Sequence, residues 1–217
     1  MPHQNLNKAG MNPAAVREKA NQVRSYRRRL AVYKTKIEND MFERGQDMFL
    51  LPHETKAIQA LQTALDTTHH ELTKSGHQLP PSRMENQKVS LAKRMQTMIL
   101  FSFEIGSRDG DAYIFDYNFS NNQIIKTSYK RCNPKISSTI VLQTMTKADF
   151  IYALYKIDLV DWEKRYKEKG LQRQACENLK WALTIRWKSR GYRDLLIEGF
   201  NDFPYNFEQL LSLIQRT

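Results

Sequence analysis

The chain has 217 residues, with 34 Lys and Arg against 23 Asp and Glu, a formal net charge of +11. That length supports one core, or one core with a protruding module, and a second full-size domain is not expected. Hydrophobic residues at 41% and charged residues at 26% exclude wholesale disorder, and no apolar run approaches the ~20 residues of a membrane-spanning helix.

Residues 1–11 are polar and irregular. Asn12-Pro13 is a helix start, with an oxygen-bearing cap followed by Pro in the first helical position. Val16, Val23, Leu30 and Ile37 then recur every seven residues, with Tyr26 and Tyr33 between them, and predict a long helix with one apolar seam. The pattern fades near Arg44-Gly45. A second seam, Ile58, Leu61, Leu65 and Leu72, ends at Ser75-Gly76, where Gly can take the left-handed conformation. Two seams and a short connection predict an antiparallel helical hairpin over residues 1–79, including the polar N-terminal tail.

Pro80-Pro81 marks the boundary to a second part, 80–217. Ser82 and Glu85 have capping-box spacing, so a third helix is expected to begin here, carrying Met84, Leu91, Met95 and Met98 on one side. From about Ile99 the period becomes two. Tyr113, Phe115, Tyr117 and Phe119 share one strand face, and the economical reading of that face is core rather than a base-stacking platform. Asn121-Asn122 is a hairpin turn, Gln123–Arg131 and Ile136–Gln143 are further strands, and the whole is an antiparallel meander. Thr146 caps a helix. The remainder reads as helical, with Leu171–Arg190 the longest piece and Asn206 capping a final Leu-rich turn. The expected class is α+β, dominated by helix, with the hairpin, a small antiparallel β-meander and a C-terminal helical segment.

Charge is concentrated in blocks. Between Arg17 and Lys36 eight basic residues, Arg17, Lys19, Arg24, Arg27, Arg28, Arg29, Lys34 and Lys36, face one acid, Glu18. On a helix Arg17, Arg24 and Arg28 form one stripe away from the seam, and Arg29 and Lys36 a neighbouring one. Such spacing suits phosphates and carries no base code, and Arg17, Arg24, Arg27, Arg28, Arg29 and Lys36 are the expected phosphate contacts here. A second block, Lys164–Arg193, has ten basic residues against Glu168 and Glu177 and interleaves Trp181, Trp187 and Tyr192, the mixture that binds single strands by stacking and neutralisation. Within it Lys180, Arg186, Lys188 and Arg190 are the expected phosphate contacts. Lys126, Lys130, Arg131 and Lys135 form a smaller cluster, whereas Asp194–Thr217 is acidic.

Signatures of catalysis are weak. There is no phosphate-binding loop, dinucleotide fingerprint, nucleophile elbow or zinc-protease motif. His69 and His70 are adjacent on a helix and diverge by about 100°, a poor chelate. Cys132 and Cys176 lack finger or disulfide spacing; with no secretory leader visible, the expected location is cytoplasmic, nucleoid or nuclear. Cys176 reads as a small core residue on a helix. Glu104, Asp109, Asp111 and Asp116 could converge on a divalent cation, but Ser107–Asp111 is equally a turn. Thr146–Gly170 also admits a helix-turn-helix reading, with Val160–Lys169 as recognition helix.

The reading that follows is a non-enzymatic nucleic-acid-binding accessory protein, DNA or RNA, without a cofactor or metal and without a membrane partner. It grips the phosphate backbone through basic helices. An assembly or scaffold subunit of phage or mobile-element type, docking by the Val16/Val23/Leu30/Ile37 seam, is the alternative. A metal-dependent nuclease is the third.

Overall fold

The structure, a computed structural model, describes residues 11–43, 49–107, 110–167, 179–188 and 191–215. The chain divides into two compact units. The first comprises residues 1–37 and 51–81, the second residues 38–50 and 82–217.

The first unit holds most of helix α1, Pro13–Glu43, and all of α2, Pro52–Lys74. Asn12 caps α1 as its sequence dictates: the Ala14 amide donates to Asn12 Oδ1 at 3.0 Å. At the start of α2 the Glu54 carboxylate accepts the Leu51 amide at 2.7 Å. Its end is a Schellman turn, in which His77 N–H donates to Leu72 O and Gly76 N–H to Thr73 O, both at 3.0 Å, with Gly76 at φ +83°. Lys19, early in α1, is ion-paired with Glu71, late in α2, so the two helices run antiparallel. Val23, Leu30, Ile37 and Leu72 are buried.

The second unit is one seven-stranded sheet with helices packed on one face. Helix α3, Arg83–Met95, opens with the expected capping box, Glu85 N–H donating to Ser82 Oγ at 3.2 Å and Ser82 N–H to Glu85 Oε2 at 2.6 Å. The meander follows as β1 Met98–Ser107, β2 Asp111–Asn118, β3 Gln123–Lys130 and β4 Asn133–Thr144. Asn122, at φ +56°, turns β2 into β3. Thr146 then caps α4, Lys147–Lys156, by accepting the Asp149 amide at 3.2 Å. Strands β5 Arg165–Lys167, β6 Leu179–Trp187 and β7 Leu195–Phe200 extend the sheet in the order β4-β3-β2-β1-β6-β7-β5, and α5, Phe207–Gln215, closes the chain. All pairings are antiparallel except β5 with β7.

Three expectations are corrected. Leu171–Arg190 is not a helix: its described part, Leu179–Trp187, is β6, hydrogen-bonded to β1 on one side and β7 on the other. The alternation Trp181, Leu183, Ile185, Trp187 fills one face of the sheet, and sheet burial outweighs the helix-forming Ala182 and Arg186 between them. The described part of the expected recognition helix, Val160–Lys167, is not helical in that way; it holds a 3₁₀ turn at Leu159–Asp161 and strand β5. Asn206 precedes α5, but its side chain is buried, its Oδ1 accepting the Trp162 indole N–H at 2.7 Å while its Nδ2 donates to Ile157 O. Cys176 lies outside the described residues.

The core is aromatic. Phe101, Phe103, Phe115, Trp181, Leu183 and Ile185 of the sheet meet Phe150 and Leu154 of α4, Phe207, Leu210 and Ile214 of α5, and Leu91 and Met95 of α3. Phe115 and Tyr117 belong to it, with Tyr113 and Phe119 at its margin, so the aromatic face of β2 is core. The opposite face, with Ser102, Glu104, Ile114, Asp116, Thr127 and Thr184, is half-exposed.

One glycine fixes how closely the strands' side chains can approach. A Cβ on Gly199 would lie 2.2 Å from Cε2 and Nε1 of the Trp181 ring. Gly199→Ala is therefore expected to destabilise the protein by about 3 kcal/mol through overpacking, read as a lower urea midpoint at unchanged m-value.

Candidate nucleic-acid interface

Helix α1 presents its charge as its periodicity requires. With Val23, Leu30 and Ile37 turned inward, Arg17, Arg24 and Arg28 fall on one exposed stripe and Arg29 and Lys36 on the next, both outside. The first stripe spans about 16 Å, the axial length of roughly five nucleotides of one DNA strand. Arg24 Nη1 donates to Asn21 Oδ1 at 3.2 Å, and the Arg29 guanidinium lies 6.0 Å from the Tyr26 ring centroid. Among the described residues no carboxylate is ion-paired with any of these five. Arg27 is different: it lies on the seam side and is half-buried. Val23, Leu30 and Ile37 are buried and Val16 half-buried, so the expected docking seam is occupied by the chain's own packing.

The second basic block is dispersed by the fold. Lys180 and Arg186 project from the open face of β6, both exposed, and Lys188 is exposed just beyond it. Two of its charges have acidic partners among the described residues: Arg186 Nε lies 3.4 Å from Asp194 Oδ2 and Arg165 Nε 3.0 Å from Glu198 Oε1. Trp181 and Trp187 are 1% and 5% exposed and serve the core, so they offer no surface to a base. Arg190 lies outside the described residues. In the third cluster Arg131 is paired with Glu104, and the Lys126 ammonium sits 4.3 Å from the Tyr113 ring centroid, covering the rim of the core.

Among the described residues the acids do not assemble into a metal site. Glu104 Oε1 accepts from Tyr129 Oη at 2.8 Å and from Arg131 Nη2 at 2.7 Å. Strand parity puts Asp111 on the opposite face from Asp116, and Asp109 lies outside the described residues. Among the described residues no group of three His, Cys, Asp or Glu side chains could hold a metal ion. No helix among them is long and apolar enough to cross a membrane.

The chain matches no family model, no curated protein and no solved structure. Its site therefore rests on its own geometry. Sequence reasoning located the α1 stripes but missed the Tyr129–Glu104–Arg131 cluster, which joins residues on β1, β3 and the turn after it. The detectable signal was the shared parity of Glu104 and Tyr129 on outward strand positions.

Burial, the hydrogen bond to Glu104 and that carboxylate's charge hold the Tyr129 hydroxyl above the ordinary tyrosine range, with Arg131 opposing. A raised tyrosine contributes stability that is complete below the unfolded value of about 10 and is lost as pH rises through the folded one. Glu104→Gln removes the charge, so Tyr129 is expected to ionise at lower pH than in the unsubstituted protein. Tyrosinate absorbance in a pH titration, with Tyr129→Phe to assign the step, reads the shift.

Proposed function

We propose that the protein binds nucleic acid through the phosphate backbone, as a non-enzymatic accessory factor, with the exposed face of α1 as its principal contact. The observation that carries this reading is the pair of stripes Arg17/Arg24/Arg28 and Arg29/Lys36, exposed and without carboxylate partners among the described residues. Like charges crowded on one helix face repel one another and disfavour the free protein, an effect that phosphates offset. Neutralising them releases counterions, so affinity falls steeply with salt. The contacts are to backbone, which favours binding with little sequence preference. A cytoplasmic, nucleoid or nuclear site of action goes with this partner.

Of the Lys164–Arg193 block, Lys188 remains as a secondary phosphate contact, while Lys180 shares its sheet face with Glu104 and Glu198 and Arg186 is held by Asp194. A role as an assembly subunit meeting an acidic protein surface uses the same α1 face. The nuclease reading has no comparable support, because Glu104 is engaged by Tyr129 and Arg131.

Fluorescence anisotropy with labelled duplex and single-stranded DNA and RNA across a salt series tests the proposal. Tight binding with log affinity linear in log salt is the expected result. Replacing Arg17, Arg24 and Arg28 together by Gln should weaken duplex binding and lower the magnitude of the slope by about 2.7, some 0.9 for each phosphate that is no longer neutralised. All three side chains are exposed, so the melting temperature should not move. Absence of binding at low salt overturns the proposal and makes an acidic protein the partner to seek.

A further inference from the structure

This inference rests on the nucleic-acid reading and names the form of nucleic acid that a second surface takes. Three stretches distant in sequence meet at one end of the sheet: the last turn of α3, the first residue of α4, and the ends of β6 and β7. The Lys188 amide donates to Thr97 O at 2.8 Å. Lys147 Nζ lies 3.4 Å from Gln96 O and 3.3 Å from Met98 O, neutralising the carbonyl end of α3. The Trp187 indole N–H donates to Arg193 O at 3.0 Å, which fixes the start of the segment leading into β7. The Arg94 guanidinium stands beside two rings, 5.9 Å from the Trp187 centroid and 5.7 Å from that of Tyr192.

The resulting surface is basic and carries an exposed aromatic ring. Lys93 and Arg193, the chain neighbours of Arg94 and Tyr192, are exposed, as is Lys188, and Tyr192 is 43% exposed. The neighbouring carboxylates are engaged elsewhere, Asp194 with Arg186 and Asp149 with Thr146 Oγ1 at 2.6 Å. Trp187 is 5% exposed and braces Arg94 from within; Tyr192 is the ring that solvent reaches. An aromatic ring backed by a guanidinium and rimmed by ammonium groups matches the chemistry of a base with its flanking phosphates. Bases in a duplex are already stacked on one another, so an unpaired base is the one that gains from this ring.

We propose that Tyr192, held by Arg94, is a stacking platform for one unpaired base, with Lys93, Lys188 and Arg193 taking the adjacent phosphates. This end of the sheet thus selects single-stranded nucleic acid, while α1 supplies affinity for any phosphate backbone.

The test compares a labelled single strand of about ten nucleotides, within the span such sites cover, with the same sequence as a duplex. Binding is measured at low salt to the full chain and to Tyr192→Ala, Tyr192→Phe and the Arg17/Arg24/Arg28→Gln variant. Tyr192→Ala is expected to weaken single-strand binding about tenfold, the worth of one stacked base, and to leave duplex binding unchanged. Tyr192→Phe keeps the ring and should retain single-strand affinity. In a Trp162→Phe/Trp181→Phe background, in which Trp187 is the remaining tryptophan, its fluorescence should change on adding the single strand and not when Tyr192→Ala is added to that background. Equal single-strand affinity in Tyr192→Ala and the unsubstituted protein overturns this inference while leaving the role of α1 standing. An equal weakening on duplex and single strand overturns it as well. If the unsubstituted protein binds neither probe, the nucleic-acid reading and this one fall together.

Discussion

Trp181 is the residue around which the sheet unit closes. Its indole packs against Phe103 of β1, Trp162, Tyr166 of β5, Phe203 and Phe207, with ring centroids 4.9–6.5 Å apart. Its N–H donates to Asp202 O at 2.9 Å, so the one polar atom of a fully buried ring is satisfied. A ring of that size fits on β6 because Gly199 on the adjoining strand has no side chain. Strand order, the position of α5 and the path of the loop before it are thus set around a single side chain. The same loop is tied a second time by Asn206, which bridges Trp162 and Ile157.

The two units treat charge differently. In the sheet unit several basic side chains have defined work: Arg131 and Tyr129 share Glu104, Arg165 meets Glu198, Lys88 meets Asp158 at 2.6 Å, and Lys126 covers aromatic rings. On α1, Arg17, Arg24, Arg28, Arg29 and Lys36 have no carboxylate partner among the described residues. Surface ion pairs contribute little to stability, but they do dilute a local positive field. A sheet face on which Glu104, Asp116 and Glu198 accompany Lys180 and Arg186 is a poor match for a polyanion. A helix face on which Glu18 is the one acid among the exposed basic residues is a better one. That contrast is the reason α1 is proposed as the principal contact and the sheet unit is proposed to take a narrower part, at the one end where Arg94, Lys188 and Tyr192 gather.

Local signals proved reliable where the physics is local. Asn12, Ser82–Glu85, Gly76, Asn122 and Thr146 each occupy the cap or turn that their side chains or backbone freedom dictate. The heptad of Val23, Leu30 and Ile37 is buried as its period requires. Within Leu171–Arg190 the period-two run from Leu179 to Trp187 was present but competed with helix-forming, charged neighbours. Asn206 was misassigned for a related reason: an Asn before a Leu-rich helix is a good cap, yet a buried indole N–H takes its oxygen in place of the helix amides.

The α+β class, the hairpin with its inward seam and the outward Arg17, Arg24, Arg28 and Arg29, and the first four strands were legible residue by residue, because caps, turns and periodicity act over a few residues. Tertiary structure alone decided that β6 enters the middle of the sheet, that Trp181 and Trp187 are core and not base-stacking surfaces, and that Glu104 is committed to Tyr129 and Arg131. It also brought Arg94 beside Tyr192. Each of these depends on which distant strand or helix comes to lie alongside. That choice is made by the burial of one whole sheet face, a property that no short stretch of the chain possesses on its own.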